Sequence, residues 1–140
     1  MLGHPLHPAI VHFPIALLLS ATIADVAWLA GWTGDVHLGA VMMAGGLAAG
    51  LVAMAAGMVD FISLDEVIVP YALQHISAVG LAWIGYAAAL YLRRDVFAGG
   101  SALGTASIAA SLVSACLLAA GGWLGGRLVY SFGAGVRKRG

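Results

Sequence analysis

The sequence predicts an all-α protein, a four-helix transmembrane bundle running up-down-up-down. Three observations predict it. Apolar residues make up 62% of the 140 residues and charged residues only 9%, with a mean hydropathy of +1.01, whereas a soluble domain carries about 25% charged residues. Four apolar segments, about 8–29, 38–62, 67–92 and 102–130, each reach the roughly 20 residues that cross a hydrocarbon core. Their backbone groups have no water to bond in lipid, so they must be helical. The polar connections are short: Gly31 to Asp35, Ser63 to Glu66, and Arg93 to Ser101. Short connections make successive helices antiparallel neighbours, and one membrane domain then occupies residues 1–140.

The first segment follows the lead-in Gly3-His4-Pro5-Leu6-His7-Pro8-Ala9-Ile10-Val11-His12-Phe13-Pro14. Pro8 suits a first helical turn, where its missing N–H costs nothing. Pro14 removes a backbone bond near Ile10 and is expected to bend or restart the helix just after His12. Trp28 and Trp32 close this segment at an interface. The second segment carries Gly46 and Gly50 at the small-xxx-small spacing of close helix contacts and ends near Asp60. The third places His75 about eight residues in, ~12 Å from its start at 1.5 Å per residue. Tyr91, Arg93 and Arg94 read as its interface anchors. The fourth holds Gly121, Gly122, Gly125 and Gly126 as packing glycines, and Arg127, Tyr130 and Phe132 close it.

Several function classes are excluded. The net charge is zero, so nothing points to nucleic acid. Cys116 is the single cysteine, which leaves no intrachain disulfide and reads as packing. No Lys or Arg precedes the first apolar stretch, so that stretch is expected to stay in the mature protein. Ser20, Ser77, Ser111 and Ser114 lack a catalytic context and read as helix-to-helix hydrogen bonders. An electron carrier or binder is favoured over a catalyst. An even number of spans puts both termini on one side of a prokaryotic inner or plasma membrane. Arg127, Arg137, Lys138 and Arg139 against Arg93 and Arg94 place that side in the cytoplasm.

Ionisable residues at membrane depth mark candidate sites. Sorted by depth, His4, His7, His12, Asp60, His75, Arg127 and Tyr130 gather at the terminal face, with Asp25, Asp35 and His37 at the other. His12 and His75 are 63 residues apart, an offset shared by Leu18 and Leu81, Ala24 and Ala87, and Leu29 and Leu92. A parallel duplication of a two-helix hairpin would bring both histidines toward a common axis. The alternative is coincidence among common apolar residues. Tyr71, Ala78, Ala82, Gly85 and Ala89 share a helical face with His75. That smooth strip leaves room for a flat ligand, or it packs another helix closely.

Imidazole is a common ligand of haem iron and of zinc or copper. The expected function is therefore a small b-type cytochrome, with His12 and His75 as axial ligands of one haem b and His7 as the alternate. Arg127 would pair a haem propionate, and Asp60 would orient a ligand imidazole. Quinone or a small redox protein would be the electron partner. A second reading binds or conducts copper or zinc through His4, His7, His12 and Asp60, with Met42, Met43, Met54 and Met58 as a weak opening for copper. A third is a cofactor-free structural subunit of a larger respiratory membrane complex; the expected partners are the lipid bilayer and a second copy of the chain or that larger complex.

The run His4 to Leu17 resembles the opening of the predicted membrane proteins grouped as domain of unknown function 2231. Asp25, the Ala56-Gly57-Met58-Val59-Asp60 run, His75 and the Gly122 to Tyr130 run are similar to that family's later motifs. Arg127 stands where many members have Glu, and Ser131-Phe132 replaces a histidine common after the Tyr130 motif. The resemblance implies a membrane fold. It also implies redox traffic, because some relatives are joined to Rieske iron–sulfur domains.

Overall fold

A computed structural model describes residues 10–133. Four helices make up the described chain: α1 His12–Leu29, α2 His37–Phe61, α3 Val69–Leu92 and α4 Thr105–Phe132. A short 3-10 helix, Arg94–Ala98, lies between α3 and α4. All four α-helices are long and apolar enough to cross a membrane, and the described residues contain no strand. The expected spans and these helices agree to within four residues at every end.

Local chemistry fixes the ends. α1 begins at His12 itself, so Pro14 falls in the first turn, where its absent N–H leaves no bond unmade. Gly31 follows the end of α1 at φ +74°, a left-handed turn open to glycine. The Asp35 carboxylate accepts the free N–H groups of His37 (2.8 Å) and Leu38 (3.3 Å) and so starts α2. Gly99 and Gly133 end the 3-10 helix and α4 in the same left-handed conformation.

Two hairpins form the bundle, and small residues set how closely each one packs. In α1/α2, a Cβ on Gly46 would lie 2.7 Å from Leu18 Cγ. In α3/α4, a Cβ on Gly121 would lie 2.6 Å from Val79 Cγ1, and one on Gly85 would strike Ser114. Without these glycines the helix axes could not approach so far. The hairpins join through Trp83, whose indole N–H donates to Leu47 O across α3/α2 at 3.0 Å. On the other side Thr22 of α1 meets Ser111 of α4 at 2.9 Å. The helices thus run round a square in chain order, with α1 and α3 on one diagonal. Leu18, Ala21, Met43, Leu47, Ala82, Tyr86, Ala89 and Leu118, drawn from all four helices, fill the centre.

The structure corrects three expectations. Arg93, read as an interface anchor, is buried inside the bundle. Cys116, read as packing, is exposed on the outer surface. The methionines of α2 do not line one path, since Met43 lies in the core while Met58 faces outward.

Candidate functional site

His75 sits in the α3/α4 seam. Its Nδ1 is 2.8 Å from the carbonyl oxygen of Gly121. A carbonyl only accepts, so Nδ1 carries the proton and, in the neutral ring, Nε2 carries the lone pair. One turn further along α4, Gly125 lies against the ring: a Cβ there would be 3.0 Å from Cε1 and 3.1 Å from Nδ1. Gly121 supplies the acceptor and Gly125 the clearance, so the glycine pair sets the tautomer and orientation of one imidazole. Protein metal ligands are commonly held in this way, with the second ring nitrogen bonded to a carbonyl.

Of the other expected site residues, His12, Asp60 and Arg127 lie within the described chain. Pro14, Leu18, Ala21 and Asp25 mark the buried face of α1. His12, 200° before Pro14 on the helical wheel, falls on the opposite face and is exposed. The duplication argument put His12 and His75 at matching levels, but side-chain links between α1 and α3 are 64 and 68 residues apart in sequence. His75 therefore lies nearer the terminal face than the start of α1, by up to about one turn. Asp60 is half-buried at the end of α2, and its carboxylate bonds neither histidine; the Gly121 carbonyl holds His75 instead. Arg127 is exposed with its guanidinium carbon 5.1 Å above the Trp123 ring. It lies 200° from Gly125 around α4 and so points away from His75. His4 and His7 lie outside the described residues. Among the described residues no three His, Cys, Asp or Glu side chains come together as metal ligands.

The small-residue strip of α3 is filled by α4. Ala78 and Val79 meet Gly121, Gly85 meets Ser114, and Ala89 O accepts the Ser107 hydroxyl at 2.9 Å. Close packing against α4 accounts for that strip among the described residues.

A second constellation emerges at the other end of the bundle. The Arg93 guanidinium grips Asp25 with two bonds, Nη1 to Oδ1 at 2.6 Å and Nη2 to Oδ2 at 2.7 Å. Asp25 is 1% and Arg93 2% exposed, which makes this a fully desolvated fork between α1 and the end of α3. Arg93 Nε also donates to Ser107 Oγ of α4 at 2.9 Å and to Ala89 O at 3.3 Å. One turn deeper, the Thr22 hydroxyl meets Tyr86 OH at 2.8 Å, Ser111 Oγ at 2.9 Å and Leu18 O at 3.2 Å. Among the described residues no buried side-chain nitrogen or oxygen lacks a partner. The network ties both hairpins together along the α1–α3 diagonal.

Sequence reasoning placed Asp25 at the correct face but missed its partner. A signal was present: Ser107, Ser111 and Ser114 repeat at helical spacing on α4, and Tyr86, Ala89 and Arg93 on α3. A polar stripe on α4, and Tyr86 and Arg93 seven residues apart on α3, imply facing interior surfaces in apolar helices.

No curated protein and no solved structure matches the chain. The family described as Predicted membrane protein (DUF2231) matches it over residues 3–138, which takes in all four helices. The chain belongs to that family of membrane proteins.

Proposed function

We propose that the protein is a small integral-membrane b-type cytochrome with His75 as one axial ligand. The observation that supports this reading is the Nδ1 bond to Gly121 O at 2.8 Å, which fixes the orientation of an imidazole within a span. The residues fit such a group in part. His75 has the tautomer and the fixed orientation of a ligand, while the α3 strip beside it is closed by α4. The group is therefore sought at the terminal mouth of the bundle, where His75 is half-buried and α1 begins. His12 faces outward, so His7, outside the described residues, takes precedence as the second imidazole. A haem held by two neutral imidazoles would supply one-electron transfer at a six-coordinate, low-spin iron. Gly121 and Gly125 would hold the ligand ring still, and the sealed Asp25–Arg93 end would keep water from the bundle interior. Quinone or a small redox domain of the Rieske type would exchange the electron.

Purified full-length protein, made with haem supplied, should contain about one haem per chain by pyridine haemochrome assay, in line with one bis-imidazole site. His7→Ala should lower that content and His12→Ala should leave it intact. Haem-free protein, or content unchanged by His7→Ala and lost with His12→Ala, would contradict the assignment.

The network itself favours a second reading, a structural subunit of a larger membrane complex. Its polar groups are mutually satisfied, which is what a purely mechanical clamp requires. The copper or zinc reading is carried by His4, His7, His12 and Asp60, of which His12 and Asp60 lie within the described residues. Metal analysis of the same haem-free preparation separates these two: stoichiometric copper or zinc supports the binder, and none supports the subunit.

A further inference from the structure

We infer that the outer face of α4 near its carboxy-terminal end seats the phosphate headgroup of one anionic phospholipid, with Arg127 as its cation. The inference is independent of any cofactor. α4 has 28 residues and is ~42 Å long at 1.5 Å per residue, against a hydrocarbon core of about 30 Å. The excess length, together with the exposed Arg127 and Tyr130, makes the carboxy-terminal end of α4 the interfacial one in this inference. Tyr71 stacks on Phe132 with ring centroids 4.4 Å apart and fixes this overhang to the start of α3.

The overhang sets a cation and two hydroxyls beside a mostly apolar groove. Trp123, Gly126, Arg127, Tyr130 and Ser131 line an open groove of about 300 Å³. Gly126 keeps the floor low, since a Cβ there would meet only Tyr130, at 4.0 Å. The Arg127 guanidinium lies over the Trp123 ring at 5.1 Å, which holds the long side chain along the groove before any ligand arrives. No carboxylate among the described residues neutralises it, because the ion pair they contain is Arg93–Asp25. Tyr130 and Ser131 are exposed and offer hydroxyl donors on the same helix end. A planar fork beside hydroxyls matches phosphate oxygens. Its place on the outer face of a membrane-spanning helix selects a lipid as the source, and its volume suits a headgroup rather than a helix. Arg94 provides a contrast: it also lies over an aromatic ring, Tyr91 at 4.6 Å, but that pair lines neither this groove nor the apolar one between α1 and α4.

The test is native mass spectrometry of the full chain in detergent, titrated with phosphatidylglycerol and with phosphatidylcholine. The wild-type protein should bind one phosphatidylglycerol at least about fivefold more tightly than phosphatidylcholine, the scale of one arginine near an anionic surface. Arg127→Gln should erase the preference, while Arg94→Gln should keep it. Trp123→Ala should weaken it with the charge still present. Equal binding of the two lipids by the wild type would overturn the inference. So would a preference that survives Arg127→Gln, or one lost equally with Arg94→Gln. Thermal unfolding of each variant separates lost binding from lost fold, since Arg127 is exposed and its replacement should leave the melting temperature in place.

Discussion

Replacing Asp25 by Asn should destabilise the protein by about 3 kcal/mol, and the structure supplies the reasoning. Asn keeps the size of the side chain and one acceptor oxygen, so packing changes little. What changes is that Arg93, 2% exposed, loses its counter-charge. Two bonds of 2.6 and 2.7 Å lead to Asp25, while those to Ser107 and Ala89 remain. Interhelical hydrogen bonds in membranes average about 0.6 kcal/mol, so bond loss alone predicts near 1 kcal/mol. An uncompensated buried charge costs about 3–5 kcal/mol, so that effect dominates. Arg93 lies at the end of α3, and some escape of its head toward the interface holds the cost at the lower end of the range. The expected loss is roughly a hundredfold in the folding equilibrium. The assay is equilibrium unfolding of the purified protein in mixed micelles with increasing denaturing detergent. Replacing both partners, Asp25→Leu with Arg93→Met, should recover most of the stability because neither charge is left buried. An Asn variant within about 1 kcal/mol of wild type would refute the buried-charge argument. A double variant no better than the worse single one would refute the pairing.

Four further outcomes are expected. Gly46→Ala should cost about 1–3 kcal/mol in the same unfolding assay, because its Cβ would stand 2.7 Å from Leu18 Cγ. Gly122→Ala, whose Cβ would meet nothing within 4 Å, should be neutral or gain up to about 1 kcal/mol of helix propensity. Thr22→Val should cost about 1–2 kcal/mol, since it takes a partner from both Tyr86 and Ser111. Gly125→Ala should turn the His75 ring, which its Cβ would meet at 3.0 Å; if His75 holds iron, the low-spin haem spectrum weakens while far-ultraviolet helicity stays.

The spans were legible because hydropathy over 20 residues is a strong, additive signal, and the bundle order followed from loops too short to allow anything else. The site was legible only in part. His75 stood out as an ionisable residue within a span, but its partner is the backbone carbonyl of Gly121, which no side-chain pattern announces. His12 lies two residues before Pro14, and because packing turns Pro14 inward with Leu18, Ala21 and Asp25, His12 falls on the outer face. Asp25 and Arg93 are 68 residues apart. Arg93 next to Arg94 at a helix end read as an ordinary interfacial pair, yet the first points into the bundle and the second lies over Tyr91. Helix phase, set by packing, decides between those two fates, and composition does not contain it.

The most direct test of the haem assignment is the reduced-minus-oxidised optical spectrum of the His75→Ala variant, recorded with and without added imidazole. The variant should lose the sharp Soret and α bands of the wild type and regain them when imidazole fills the vacated place. A variant that keeps the full wild-type spectrum without imidazole would contradict His75 as the ligand.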